Sequence, residues 1–422
     1  MTWISQLLGD SPKRDRVRSD VRRVLAIGVV DVAQLANSAR RAGYDVYAVD
    51  YHGDQDLGQS CSASLSLAKR KGGRSQSGIF GNPLPEALLE LARGLEENYE
   101  IDASLLASGL DDSPEVLYEL NYLIPILGNP PDLFRRVRDK SKFFAIVRRL
   151  ELPFPETVFA HNFVEAKRAS KDMGFPLLLK PEKGFGGLGI RKVSNAQELD
   201  NALGAVRKSD AGIQVQEYVS GTHASASVIS VPGEALTLVV SEQLLGVSEV
   251  GQQEPFGYCG NIVPLSAPSD IIDKCRDAAE RVVSYFGLIG SNGVDMVISK
   301  EGTPHVIEVN PRFQGTIECV ERVLGLNVVE AHVRACVDGS LPAVPKEPTK
   351  SCIRLILFAK QRSAAPDLST LNECRDVPPP ETVVEEGEPL CSILVEDRNR
   401  EALLKRTKQI SRSIYSSLSS VN

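Results

Sequence analysis

One stretch, Gly293 to Thr316 (GVDMVISKEGTPHVIEVNPRFQGT), limits the folds open to this chain more than any other. Val294 to Ser299 is apolar and β-branched with one acid inside it. Glu301 to Pro304 carries turn chemistry, and His305 to Val309 reads as a return strand, so the stretch predicts a β-hairpin. Asp295 falls on the first strand, and Glu308 and Asn310, two positions apart, point to one face of the second. Two carboxylates and an amide oxygen brought together in this way suit hard, oxygen-loving Mg²⁺ over a soft metal. Arg312 follows at once, and its permanent charge suits a phosphate or carboxylate beside such metals. A solvated hairpin with acids on its outer face accounts for the same residues. An Asp inside an apolar strand and a Glu inside VIEVN count against that reading, because buried acids need partners.

A chain of 422 residues is too long for one small core and implies two or three domains. Its net charge of −7 argues against a broad nucleic-acid footprint, though a local positive patch would still serve an anionic ligand. No apolar run is long enough to span a bilayer. Eight cysteines without a CxxC pair read as reduced thiols, which with the lack of a secretory signal points to the cytoplasm. The opening MTWISQLLGDSPKRDRVRSD places its apolar patch before its basic residues, the wrong order for such a signal, and reads as a leader.

Val24 to Gly28 has a buried-strand pattern, Asp31 is placed to cap the helix VAQLANSARRAG, and YDVYAVD returns as a strand ending at Asp50. This β-α-β start has the form of a dinucleotide-binding half, but its turn GVVDVA lacks GxGxxG, so no NAD site is expected. His52 to Gly81 reads as a long loop, Leu84 to Leu95 as a helix, and Ala103 to Gly109 as a strand ending in SGLDD, with Asp112 or Ser113 capping the next helix. After Asn129-Pro130-Pro131, Leu133 to Leu150 reads as one basic amphipathic helix. Leu177 to Lys180 is a strand ending in lysine, and Gly184 to Gly189 is a glycine-rich loop able to bring backbone N–H groups around phosphate oxygens, though not a Walker A loop. Ile213 to Val219 reads as a strand leading to a linker, with Glu217 beside it. PFGYCGNIVPL precedes a helix from Ile271 to Phe286, and another helix covers about Leu326 to Val337. Beyond Pro342 the pattern gives the strand CIRLILFA, a hairpin in TVVEEGEPLCSILVE and a closing helix from Glu401 to Leu418.

The order of these parts resembles the ATP-grasp superfamily, which includes biotin carboxylase, carbamoyl phosphate synthetase and D-alanine–D-alanine ligase. A DK pair opens a helix at Lys140, a strand-end Lys180 and glycine loop follow, then QEYVSG and the D…ExNxR hairpin. AVDYHGDQDL, FGYCGNIVPL and the tail are similar to uncharacterised carboligase-like members. The resemblance implies an α/β ATP-grasp fold with an N-terminal Rossmann-like (pre-ATP-grasp) domain and a small C-terminal α+β region. The implied boundaries are a leader at 1–23, the first domain at 24–128, the ATP-grasp domain at 129–340 with a lid lobe at about 155–222, and the tail region at 341–422.

Carried over residue by residue, Lys140 and Lys180 match the lysines on the ATP phosphates, and Gly184, Gly186, Gly187 and Gly189 the lid loop over them. Ile190 matches the apolar wall against the base, Glu217 and Val219 the adenine hinge, and His223 stands where many members place a ribose-binding acid. Asp295, Glu308 and Asn310 match a two-Mg²⁺ site that would also accept Mn²⁺, and Arg312 the arginine at the acyl-phosphate, with Lys180 and Glu308 sharing catalysis. Asp50, Asp111, Tyr258, Asn261 and Gln314 are the expected substrate contacts. The implied activity is ATP-dependent joining of a small carboxylate to an amine through an acyl-phosphate, in a protein with no nucleic-acid or membrane partner and with a homodimer as a candidate assembly. Two alternatives stay open. One is a biotin-carboxylase-like or carbamoyl-forming enzyme that phosphorylates bicarbonate: Arg312, Gln314 and Glu318 are similar to the NxRxQxE run of biotin carboxylase, whose acid stands two residues earlier. The other is a nucleotide-binding regulator without catalysis.

Overall fold

The computed structural model describes residues 21–68, 84–182, 184, 186–206, 212–343 and 348–421. The expected leader, residues 1–20 in particular, lies outside them. The chain is mixed α/β, with four sheets among the described residues.

The first sheet is parallel, in the order Ala63–Ser66, Asp45–Asp50, Arg23–Ile27, Ala103–Leu106. Past their first residues its two central strands are buried, as parallel strands covered on both faces must be. Helices Val32–Arg41 and Leu84–Glu96 supply that cover. The turn after the first strand brings two backbones together: a Cβ on Gly28 would stand 2.8 Å from Ala107 Cβ. The carboxyl ends of these strands therefore deliver Asp31, Asp50 and the Ser108–Asp111 turn to one edge, the place where α/β sheets gather ligands.

The largest sheet has eight antiparallel strands, in the order Pro304–Asn310, Gly290–Ser299, Gly221–Val231, Glu234–Leu245, Tyr258–Val263, Ser351–Phe358, Pro389–Asp397, Cys374–Arg375. Helix Ser269–Phe286 lies on it through Cys275, Ala278, Ala279, Val282, Val283 and Phe286, a stripe at the helical period. Burial of a side chain such as Val282 or Phe286 stabilises by about 1.5–3 kcal/mol. A third sheet, Thr157–Ala160, Ile213–Glu217, Leu177–Pro181, Arg191–Val193, is closed on one side by helices Phe163–Met173 and Ala196–Val206. A small sheet in the tail joins Val383–Val384, Ser363–Ala364 and Ser419–Ser420.

Several local expectations need correction. The described part of the stretch read as a loop from His52 contains helix Gln55–Ser60 and edge strand Ala63–Ser66; its serines are polar because the strand is only half covered. The single helix at 133–150 is two, Pro131–Arg138 and Lys140–Arg149. Asp139 interrupts it with extended dihedrals, and its carboxylate accepts the Lys142 amide at 3.2 Å to start a new helix with Lys140 in the first turn. Asp31 caps nothing: its backbone is left-handed (φ 68°), and its side chain bonds elsewhere. Neither Asp112 nor Ser113 caps the helix Pro114–Leu123. A separate helix, Ile317–Leu324, stops at Gly325 before Val328–Val337. The tail hairpin is not a hairpin, since Val383–Val384 and Pro389–Asp397 belong to different sheets.

Candidate functional site

The hairpin forms as the sequence predicts, and Asp295 and Glu308 are direct cross-strand neighbours. On its other side Asp295 pairs in register with Ser225, whose hydroxyl donates to Asp295 Oδ1 at 2.6 Å. Gln243 Nε2 donates to the same oxygen at 3.0 Å, and Asn310 Nδ2 to Oδ2 at 3.1 Å. Burial and then the Glu308 charge push the Asp295 carboxyl up to about 6. Glu308 moves the opposite way. Burial alone would raise it, but Lys140 and Arg138 outweigh burial and keep it well below the usual carboxylate range. Two half-buried carboxylates on neighbouring strands are a ready seat for a divalent cation. Among the described residues no three His, Cys, Asp or Glu side chains cluster as metal ligands. The third oxygen of the expected set must come from the Asn310 amide, whose oxygen lies 3.4 Å from Arg312 Nη2. The donors are all hard, which fits Mg²⁺ or Mn²⁺.

Opposite the carboxylates stands a group of cations. Lys140 Nζ reaches Glu308 Oε2 at 2.7 Å and Arg138 Nη1 lies 3.5 Å from it. Arg138 also grips Asp112 with two bonds of 2.7 and 2.8 Å. Lys180 makes no hydrogen bond or ion pair among the described residues. Burial lowers its ammonium to about 8, with Glu308 opposing the shift and Lys140 adding to it. Arg312 Nε is bound by both Asp111 oxygens at 3.0 and 3.3 Å, which joins the first sheet's edge to the hairpin.

These groups line one cavity of about 1030 Å³. Gly184, Gly186, Gly187, Gly189 and Ile190 form part of its wall, and so does His223, whose imidazole burial and the Lys180 charge push down. Asp50, Asp111, Tyr258, Asn261 and Gln314 line it too. Glu217 and Val219 are not among its lining residues: the Glu217 carboxylate accepts the Glu156 amide at 3.2 Å, and Gln214 and Gln216 of the same strand face the space instead.

Sequence reading passed over Arg354, which is buried in the same wall between Asp31 (2.6 Å) and Asp376 and also donates to Gly315 O at 3.1 Å. Asp31 takes the Ser108 hydroxyl at 2.8 Å as well. The signal was there: Arg354 is the one charge inside CIRLILFA, the same pattern that marked Asp295.

Comparison with known proteins follows the same lines. Residues 137–316 match the ATP-grasp domain family. An uncharacterized protein of Methanocaldococcus jannaschii is 25% identical over 380 residues, 89% of this chain and 88% of that one. The carbamoyl phosphate synthase large chain of Pseudomonas aeruginosa is 27% identical over 223 residues, 52% of this chain but only 20% of the relative. In fold, the chain is similar to a biotin carboxylase–ATP complex from Campylobacter jejuni, with a TM-score of 0.73, 17% identity, and coverage of 95% and 92% of the two chains.

Proposed function

We propose that this chain, which carries an ATP-grasp domain, is an ATP-dependent ligase that joins a small carboxylate to an amine. Lys140, Lys180 and the loop amides at 184–189 bind the ATP phosphates, and Asp295, Glu308 and Asn310 hold Mg²⁺. When bound, Mg²⁺ neutralises charge on the transferring phosphoryl group. Arg312, fixed by Asp111, faces the negative charge that develops on the acyl carbon's oxygen. A carboxylate oxygen takes the γ-phosphoryl group and ADP leaves. The amine nitrogen then bonds to the acyl carbon, the carbon–oxygen bond to phosphate breaks, phosphate departs, and the nitrogen gives up a proton. Positioning and charge neutralisation suffice, with no protein nucleophile.

The observation that carries this reading is Lys180, an ammonium with no hydrogen-bond or ion-pair partner among the described residues, lining the same cavity as the cross-strand carboxylates Asp295 and Glu308. A phosphate chain bearing a divalent cation satisfies both sides at once.

One observation favours the amine over bicarbonate. The position that would bear the acid of the NxRxQxE run is Thr316, next to Gly315, where an added Cβ would stand 3.0 Å from Asp31 and 3.1 Å from Arg354. Glu318 is 3% exposed, bound to Arg375 at 3.2 Å, and does not line the cavity. The test is ADP release across a matrix of carboxylates and amines, with bicarbonate as one arm. Release that needs both a carboxylate and an amine supports the ligase. Release with bicarbonate alone supports the carboxylase alternative. Nucleotide binding without turnover under any pairing would return the chain to the regulator class.

A further inference from the structure

The glycine-rich loop does more than border the nucleotide side of the cavity. The carbonyl of Gly186 accepts the Tyr258 N–H at 2.9 Å. Gly187 (φ +75°) lies so close to the next segment that a Cβ there would stand 1.9 Å from Phe256 O. Just past the loop, Arg191 is paired with both oxygens of Glu254, one of them at 3.1 Å from Nη2. Three successive contacts thus run from 186–191 onto 254–258.

The segment they reach belongs to the substrate side. Its own shape is tight: Gly257 N–H donates to Glu254 O at 2.9 Å, and Gly246 N–H to Gly257 O at 2.8 Å. It opens the strand Tyr258–Val263, where the register slips between Leu244 and Leu245 opposite Tyr258. The Tyr258 amide goes to the loop. The Tyr258 hydroxyl donates to Asn261 Oδ1, and Asn261 Nδ2 donates to Ser241 Oγ at 3.0 Å, so hydrogen bonds link the Tyr258 ring to Asn261 and Ser241. Tyr258 and Asn261 both line the cavity.

We propose that the glycine-rich loop positions Tyr258 and Asn261, so that loading the nucleotide side orders the acceptor side through the Gly186–Tyr258 bond, the Gly187–Phe256 contact and the Arg191–Glu254 pair. The inference rests on the nucleotide-site reading above. Gly187 is required at its place both for its left-handed backbone and for the close approach to Phe256. Glu254 and Arg191 strap the loop to the segment from the side. Tyr258 is a positioning residue, set by the loop and setting Asn261.

Amide hydrogen exchange of the full chain, with and without Mg²⁺ and the non-hydrolysable analogue AMPPNP, separates coupling from static packing. In the wild type the analogue should slow exchange at 184–191 and, roughly fivefold, at 258–261, the scale of holding one existing amide hydrogen bond more firmly closed. Glu254→Gln should keep the slowing at 184–191 and lose most of it at 258–261. Gly187→Ala should lose it at 258–261 even if the loop still responds. Slowing at the loop alone in the wild type, or equal slowing at both places in Glu254→Gln, would overturn the coupling while leaving the nucleotide site standing. No slowing anywhere would remove the nucleotide-site reading and the coupling with it.

Discussion

Two buried polar regions lie on opposite faces of the strand Gly290–Ser299, and they are built on opposite terms. Around Asn292, every group has a partner. Asn129 Nδ2 donates to Asn292 Oδ1 (2.8 Å) and Pro311 O (3.0 Å), while its own oxygen accepts the Ile289 amide (2.8 Å). Asn292 Nδ2 donates to Ser230 Oγ at 3.0 Å and Gly290 O at 2.9 Å. Beside them His332 accepts the Ser291 amide on Nδ1 at 2.8 Å and donates from Nε2 to Leu127 O at 2.9 Å. Three residues further along the strand, Asp295 faces the like charge of Glu308 across the hairpin, and Lys180 has no hydrogen-bond or ion-pair partner among the described residues. A satisfied network fixes how segments join. An unsatisfied one stores an electrostatic imbalance that a charged ligand can relieve.

The contrast predicts different losses on the two sides. Glu308→Gln should lower turnover by roughly 10²–10³-fold, the scale of one lost electrostatic contact (~3–4 kcal/mol), with the folded state retained by circular dichroism. Near-wild-type turnover in saturating Mg²⁺ would break the comparison at the site.

On the satisfied side the loss should be in stability. Burial holds the His332 imidazole down at about 4. The unfolded chain takes up its proton first, near pH 6.5, so stability should fall as pH drops from about 6.5 toward 4, by on the order of 2–3 kcal/mol from this group. Denaturation at pH 7 and pH 5, compared between wild type and His332→Gln, reads this out; an unchanged pH slope in the variant would count against it. Asn129→Ala leaves Asn292 Oδ1, Pro311 O and Ile289 N–H unpaired and should cost about 1–3 kcal/mol in urea unfolding, with the fold of the site unaltered.

The smallest effect is a proton count. At pH 8 Lys180 is about half protonated in the free protein, and phosphate oxygens would restore its charge. Mg²⁺–AMPPNP binding should therefore take up about half a proton at pH 8 and progressively less as pH is lowered toward 6.5. Calorimetry in two buffers of different ionisation enthalpy measures it, and Lys180→Met should abolish it. Uptake that persists in Lys180→Met assigns the proton to another group.

The α/β ATP-grasp architecture was legible because its signals are local. Strand-end Lys180, the glycine run and the acids within VDMVIS and VIEVN all announce themselves within ten residues of sequence. What escaped reading depends on distant parts of the chain. Asp31 looks like a helix cap until Arg354, far along the chain, claims its carboxylate. The DK pair does open a helix at Lys140, but that Asp139 breaks the basic run 133–150 with extended dihedrals is not visible in its charge pattern. That the exposed Glu217 carboxylate accepts the Glu156 amide from the neighbouring strand is likewise set by distant pairing. Tail strands 383–384 and 389–397 share a turn-like sequence, but their partners were set by sheets already formed around them.

The eight-stranded sheet carries a consequence for the birth of the chain. Gly260 pairs with Leu355 and Val263 with Cys352, so the Tyr258–Val263 strand gains its second neighbour only from the tail. At ribosomal speeds of about 5–20 residues per second, that strand waits roughly 5–20 s with an open apolar edge after it is made. An edge of this kind, with Cys259, Ile262 and Val263 in it, is a template for pairing with another nascent copy. The tail thus serves as a sheath for the sheet, and a chain ended at residue 340 should aggregate during synthesis even though every residue proposed to bind nucleotide is present.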